Sequence, residues 1–121
     1  MPLAAKDKVD LLFRAFSDRT RLRILNLLGA RPEICVCDLM RVLELPQAKV
    51  SRHLAYLRRA GLVAGRKDQQ WMHYRLVRAR GNFHARLLEC LSSCLGAVPG
   101  LKSDRRRLGS CREKPGGSCC D

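Results

Sequence analysis

Five of the seven cysteines form two groups with the composition of a thiolate site. Cys35 and Cys37 are separated by one residue, and Cys111, Cys119 and Cys120 lie within the last eleven residues of the chain. Thiolates are soft ligands that select soft ions, and trivalent arsenic or antimony takes three of them in a pyramidal arrangement. The sequence therefore predicts a thiolate site for a soft metal or metalloid.

The sequence leaves open which three cysteines form this site. The C-terminal cysteines can join Cys35 and Cys37, within one subunit or across a dimer, or they can form a complete three-thiolate site alone. Met40 does not provide the third thiolate, because a thioether is a much poorer donor to trivalent arsenic. The two remaining cysteines, Cys90 and Cys94, lie one turn apart on the apolar face of a predicted helix, and we expect them to pack in the core or at a dimer interface.

A second group of residues has the chemistry of DNA recognition. The formal charge of the chain is +13, and residues 47–80 contain nine Lys and Arg but only one Asp, which predicts a polyanionic partner. Residues 47–60 predict a helix with Val50, Leu54 and Leu57 on its buried face. The opposite face carries polar and basic side chains, namely Gln47, Lys49, Ser51, Arg52, Tyr56 and Arg59.

These exposed side chains fall into two groups, those suited to contact base edges and those suited to contact phosphates. Gln47, Ser51 and Arg52 lie in the first half of the helix and can hydrogen-bond to base edges. Lys49 and Arg59 are better placed for phosphates, which set register but not sequence. Two interpretations of His53 are equally favoured, a phosphate contact and a hydrogen-bonded position at the edge of the helix packing. Tyr56 is expected to pack.

A predicted hairpin follows this helix and supplies a second DNA contact. Residues 62–66 and 71–76 alternate as strands, and the polar tip spans residues 67–70. The hairpin is expected to bring four side chains to the flanking backbone or minor groove, namely Arg66, Lys67, Gln69 and Gln70.

The elements around these residues predict a mainly α fold with a small β-hairpin wing. The helical periodicity places the helices at residues 5–16, 19–28, 36–43, 47–60 and 82–95. Ser17 and Asp18 can cap the second helix, Gly29 and Gly61 end two others, and Pro46 lies in a tight link. A short helix, a tight link, a longer helix and a hairpin together indicate a winged helix-turn-helix.

Composition predicts where the folded part ends. Residues 1–98 are expected to form the DNA-binding and dimerisation domain, and residues 99–121 a flexible Cys-containing tail, because Gly and Pro leave it little to pack. No apolar run approaches the roughly 18 residues of a membrane span, and the N-terminus lacks the apolar stretch of a secretory signal. We therefore expect a cytoplasmic protein whose cysteines are thiols and not a disulfide framework.

Four segments of the chain resemble the ArsR/SmtB family. They are Ser-Asp-Arg-Thr-Arg-Leu-Arg-Ile-Leu (17–25), Glu-Ile-Cys-Val-Cys-Asp-Leu (33–39), Leu-Pro-Gln-Ala-Lys-Val-Ser-Arg-His-Leu-Ala-Tyr-Leu-Arg-Arg-Ala-Gly-Leu-Val (45–63) and Trp-Met-His-Tyr-Arg-Leu (71–76). The resemblance implies a homodimeric winged-helix repressor that releases operator DNA when it binds a metal or metalloid. Segment 33–39 is similar to the arsenic-responsive branch, although Met40 stands where some arsenic sensors have a third cysteine. The last predicted helix has Asn82 and His84 but lacks the later partners of the family's zinc-sensing site, so no such site is expected.

We therefore expect a repressor, not an enzyme, with trivalent arsenic or antimony as inducer at Cys35 and Cys37 and with the C-terminal cysteines completing the coordination. Residues i and i+2 do not face each other on a helix, so one ion can bind both thiolates only if the first helical turn is distorted. Two alternatives remain. The cysteines can form a redox or persulfide switch on the same fold, or the chain can be a thiol metallochaperone or thiol-disulfide enzyme that uses Cys119 and Cys120, which leaves the basic segment unexplained.

Overall fold

Helices form most of the molecule in the computed structural model, which describes residues 9–79, 81–94 and 97–110. In chain order the elements are α1 (Val9–Phe16), α2 (Arg19–Leu28), β1 (Ile34–Cys35), α3 (Val36–Leu43), α4 (Gln47–Arg59), β2 (Val63–Asp68), β3 (Trp71–Leu76), α5 (Asn82–Ser93) and α6 (Pro99–Gly109). Within the described residues, no helix combines the length and the apolar character that crossing a membrane requires.

The helices α2 and α4 begin and end at or next to the residues that the sequence indicates. Asp18 caps α2, and its carboxylate accepts a hydrogen bond of 3.0 Å from the backbone N–H of Arg21. Beyond α4, Gly61 has a φ of +80°. The N–H of Leu62 donates to the carbonyl of Leu57 at 3.0 Å, which is the longer bond of a Schellman motif. This left-handed glycine turns the chain directly into the hairpin.

The core lies where α2, α3 and α4 meet. The predicted buried face of α4 is confirmed, because Val50, Leu54 and Leu57 are all fully buried. Ile24 of α2 and Leu39 of α3 are also fully buried in the same cluster. These aliphatic contacts fix the orientation of α4, and with it the direction of its polar face.

The wing is a three-stranded antiparallel sheet with the order β1-β3-β2. The sequence predicted only the hairpin, because the two residues of β1 are too few to show alternation. In the sheet, Ile34 lies opposite Tyr74 and Cys35 lies opposite His73. The strand β2 continues to Asp68, so the tip is shorter than predicted. The short strand β1 attaches the start of α3 to the wing.

The prediction of a flexible segment from residue 99 is wrong for Pro99–Gly109, which form α6 against α2 and α3. Leu101 and Leu108 are buried. Within this helix, Gly100 and Gly109 lie at its two ends, and Pro99 is at its first position, where the missing N–H is not needed. Residues 111–121 are outside the described residues.

A buried ion-pair network holds α6 against α2. Asp104 of α6 is 2% exposed, and its two carboxylate oxygens accept from Nε and Nη2 of Arg23 at 2.7 and 3.0 Å. Arg107 also donates to Asp104 at 2.9 Å and lies 3.5 Å from Glu44, at the end of α3. The side chain of Asn26 donates to the carbonyl of Leu101 at 2.9 Å. The packing of α6 is therefore specific.

We expect Asp104→Ala to lower the free energy of unfolding by about 2 kcal/mol, because hydrogen bonds to charged groups are worth more than neutral ones and two guanidinium groups lose their acceptor. Urea unfolding followed by circular dichroism measures this change. Ser103→Ala, at an exposed position of the same helix, is the control and should be neutral. An Asp104→Ala variant as stable as the wild type would contradict the role of this network.

Candidate DNA-binding face and cysteine pair

The helices α3 and α4 form the helix-turn-helix. They are joined by residues 44–46, where Glu44 has the left-handed φ of 58° and Pro46 precedes the first residue of α4. The left-handed residue reverses the chain within this short link, and the proline prevents α3 from continuing. Packing between α3 and α4 then fixes the second helix as the one that presents its polar face.

The predicted recognition face of α4 points to solvent. Gln47, Lys49, Arg52 and Arg59 are exposed, and Ser51 is half-buried. These five side chains are therefore accessible, whereas Val50, Leu54 and Leu57 on the same helix are not. This arrangement suits entry into the major groove, where residues in the first half of a recognition helix contact base edges.

His53 lies at the packing edge and not on the open face. Its imidazole is 17% exposed, and Nδ1 is 3.8 Å from a carboxylate oxygen of Asp18. Burial lowers the pKa of His53, Asp18 opposes this effect, and the charges of Arg21, Lys49 and Arg52 add to it. A ring held neutral in this way is a poor phosphate ligand, so the structure favours the packing interpretation.

Arg21 is a positioning residue that sequence reasoning missed. Its guanidinium carbon lies 4.1 Å from the centroid of the Tyr56 ring, a cation–π contact with α4. The same guanidinium donates to the carbonyls of Ala15 at 3.2 Å and Arg14 at 2.8 Å. Arg21 thus joins the end of α1 to the recognition helix, and Tyr56 is half-buried, as expected of a packing residue. The signal in the sequence that could have indicated this role is the position of Arg21, a basic residue three places after the α2 cap Asp18.

The wing presents some but not all of its predicted DNA contacts. Lys67, Gln69 and Gln70 are exposed near the tip. Arg66 instead forms a two-point ion pair with Glu33, with distances of 2.8 Å from Nε to Oε2 and 2.6 Å from Nη2 to Oε1. This pair lowers the pKa of Glu33 and raises that of Arg66. A phosphate contact by Arg66 would have to compete with Glu33.

Cys35 and Cys37 converge at the start of α3. Cys35 caps the helix with an extended backbone (φ −68°, ψ 142°), and Cys37 lies in its first turn. Their Sγ atoms are 2.9 Å apart, and the residues are 4% and 9% exposed. Because Cys35 is still in the extended conformation, the usual i, i+2 divergence of helical residues does not apply.

The other cysteines lie apart from this pair or outside the described residues. Cys90 and Cys94 are free thiols, whereas Cys37 is disulfide-bonded, which departs from the expectation of thiols alone. Cys90 and Cys94 are exposed on α5, so they do not pack in the core, since this helix buries only His84 and Leu91. Their place at a dimer interface stays a prediction. The remaining predicted ligands are outside the described residues, namely Cys111, Cys119 and Cys120.

Among the residues that the structure describes, no group of three or more His, Cys, Asp or Glu side chains has the arrangement of a metal site. Once the disulfide at Cys37 is reduced, Cys35 and Cys37 offer two sulfur donors of the kind that suits a soft ion.

Comparisons with known proteins identify the family. Residues 18–64, from the cap of α2 to the start of β2, match the sequence profile described as "Bacterial regulatory protein, arsR family". The chain is 36% identical over 110 residues to the arsenic resistance transcriptional regulator ArsR1 of Pseudomonas putida KT2440, an alignment that covers 87% of this chain and 80% of that protein. It is 52% identical over 65 residues to the arsenical resistance operon repressor of Escherichia coli K12. This alignment covers 54% of this chain and 56% of that protein, so the chain spans little more than half of that relative.

A solved structure agrees with the sequence comparisons. The antimony-specific transcriptional repressor AntR superposes with a TM-score of 0.61 and 30% identity, over 78% of this chain and 81% of that one. These relatives are transcriptional regulators and not enzymes. The resemblance found in the sequence is thereby confirmed, and the chain belongs to the ArsR family of bacterial regulators, with their winged helix-turn-helix fold.

Proposed function

We propose that this chain is a metalloid-responsive repressor, which binds operator DNA as a homodimer and is released when trivalent arsenic or antimony binds cysteine thiolates. The observation that carries this proposal is the convergence of Cys35 and Cys37, with sulfurs 2.9 Å apart, at the first turn of the helix-turn-helix. The names of the relatives point in the same direction, since two concern arsenic resistance and one is antimony-specific.

The position of Cys35 explains how a ligand affects DNA binding. Cys35 belongs at once to β1, which pairs with wing strand β3, and to the cap of α3, which packs on α4. Two residues before it, Glu33 forms the ion pair with Arg66 of the wing. A ligand that pulls on Cys35 therefore shifts both the recognition helix and the wing. The loss of operator affinity equals the coupling free energy between the two sites.

An unpartnered apolar face supports the homodimer. Phe13 of α1 is 56% exposed and Phe83 of α5 is 37% exposed, and their rings make an edge-to-face contact with centroids 5.2 Å apart. Exposed aromatic side chains grouped on two adjacent helices mark an interaction surface. A two-fold dimer through α1 and α5 places two recognition helices on one side, about one turn of DNA (roughly 34 Å) apart.

We expect Arg52→Ala to weaken operator binding by about 1–3 kcal/mol with the fold intact, because the change removes a base or phosphate contact. Fluorescence anisotropy with labelled operator at fixed salt measures this effect. Arg106→Ala is the matched control, since it removes the same charge from an exposed position of α6, outside the helix-turn-helix and the wing. If both Arg52→Ala and a Gln47→Ala/Ser51→Ala variant bind like the wild type, α4 does not read the operator.

We expect Phe83→Asp to convert the dimer into monomers at micromolar concentration and to weaken operator binding, because a charge would be buried in the proposed interface. Sedimentation velocity measures the oligomeric state. Val98→Asp is the control, because Val98 is 42% exposed but lies outside α1 and α5. A wild-type protein that is monomeric and still binds DNA would contradict the dimer.

Cys35→Ser and Cys37→Ser should each keep operator binding and abolish release by arsenite or antimonite. A mobility-shift assay on reduced protein tests this, with Cys90→Ser as the control that should respond normally. If Cys35→Ser/Cys37→Ser still responds and a Cys111→Ser/Cys119→Ser/Cys120→Ser variant does not, the sensor lies in the C-terminal segment alone.

The same assay tests the redox alternative, which the disulfide at Cys37 favours. The ligand panel comprises arsenite, antimonite, cadmium, zinc and peroxide. Release by peroxide without tight metalloid binding would replace the metalloid proposal with a redox switch, and absence of operator binding by the unliganded protein would favour a thiol metallochaperone.

A further inference from the structure

We propose that the cleft between α2 and α6 binds a small organic anion, a molecule with an apolar body and one carboxylate or sulfonate group. The residues that line this cleft belong to the first half of α2, to α6 and to the positions just before these helices. Its volume is about 870 Å³, and small-molecule sites in proteins measure roughly 300–1,000 Å³. Neither the cysteine pair nor α4 contributes to the lining, so this site is distinct from the proposed metalloid site.

Three apolar side chains line the cleft without filling it. Leu22 of α2 is half-buried, and Leu101 of α6 is 7% exposed. Val98, which caps the start of α6, is 42% exposed and lies outside the aromatic face proposed for the dimer. A ligand with an apolar body would remove this surface from water, which is favourable.

The polar side chains of the cleft leave one positive charge available. Arg19, Arg23 and Arg107 line it, and Asp104 is the one acidic residue among the described residues of the lining. Asp104 is already compensated, because Arg23 and Arg107 both donate to its carboxylate. Arg19 is exposed and forms no ion pair with any residue that the structure describes. Since a guanidinium can donate two parallel hydrogen bonds to the oxygens of one anionic group, Arg19 is the proposed anion contact.

The helices around the cleft are held in place without a ligand. Nε and Nη2 of Arg23 lie 2.7 and 3.0 Å from the carboxylate oxygens of Asp104. The side chain of Asn26 donates to the carbonyl of Leu101 at 2.9 Å. A site that is already formed loses less conformational freedom on binding. A DNA phosphate or an inorganic anion would leave the apolar side chains exposed, so the cleft is better suited to an organic anion.

The test uses two dyes that share one fluorophore. 8-Anilinonaphthalene-1-sulfonate has an apolar body and an anionic group, whereas N-phenyl-1-naphthylamine has the same rings without the sulfonate. Both fluoresce more strongly in apolar surroundings, so titration of the full-length protein at fixed salt gives their dissociation constants. We expect one molecule of the sulfonate to bind per chain, and the uncharged dye to bind about tenfold more weakly, because it lacks a hydrogen bond to a charged group.

Arg19→Ala tests the anion contact. The variant should bind the sulfonate about tenfold more weakly than the wild type and bind the uncharged dye equally well, because only the charged contact is removed. Arg106→Ala is the control, since Arg106 is exposed on α6 but does not line the cleft. Equal affinity of Arg19→Ala and the wild type for the sulfonate would overturn the proposed contact.

Gly100→Leu tests the location of the site. Gly100 lines the cleft, and a side chain at this position would have no neighbour within 4 Å of its Cβ, so the change occupies space without a clash. Gly109→Leu is the matched control at the other end of α6, where a Cβ also has no neighbour within 4 Å. We expect Gly100→Leu to weaken the binding of both dyes by about tenfold and Gly109→Leu to have no effect. Circular dichroism, and operator binding without dye, confirm that each variant is folded.

Two further outcomes would overturn the proposal. Loss of both dyes in Phe83→Asp but not in Gly100→Leu would place them on the aromatic face of Phe13 and Phe83. Displacement of the sulfonate by an equal concentration of inorganic phosphate would show that the apolar body has no role. Neither outcome affects the metalloid proposal, which the assays on the cysteine variants test separately.

Discussion

The change from strand to helix at Cys35 is the constraint on which the geometry of the proposed sensor depends. Because Cys35 is the last residue of β1 and the cap of α3, its extended backbone directs its sulfur toward that of Cys37 in the first turn. The same residue is paired with His73 of the wing. One position therefore joins the wing to the helix-turn-helix and carries a proposed ligand of the metalloid. Neither an ideal helix nor an ideal strand through residues 35–37 would both pair with the wing and bring the two sulfurs together.

The recognition helix is held from both its buried face and its edge. Fully buried aliphatic side chains fix α4 on α2 and α3. At the edge, Tyr56 lies under the guanidinium of Arg21, and His53 lies near Asp18. These edge contacts lead back to the junction of α1 and α2, so α4 is attached to the helix that carries part of the proposed dimer face. A shift at the buried face of α4 or at these edge contacts therefore changes the orientation of the recognition face.

The helix α6 shows how a small domain can add a second layer with polar contacts. Its burial rests on two leucines and on Asp104, whose charge is compensated by Arg23 and Arg107. A buried charge is tolerated only when it is paired and hydrogen-bonded, and this network satisfies that condition. The network also makes the packing specific, because Asp104 would lose its α2 partner on a surface without Arg23.

The sequence by itself determined the helix-turn-helix, the polar face of α4, the wing hairpin and the spacing of Cys35 and Cys37, because helical and strand periodicity, caps and turn residues are local signals. Only the tertiary structure decided the rest. The strand β1, the pairing of Arg66 with Glu33, the burial of α6 and the convergence of the two sulfurs all depend on contacts between residues that are distant in sequence or on backbone direction at one residue. The periodicity of a segment does not indicate which residue of another element a charged side chain or a short strand will contact.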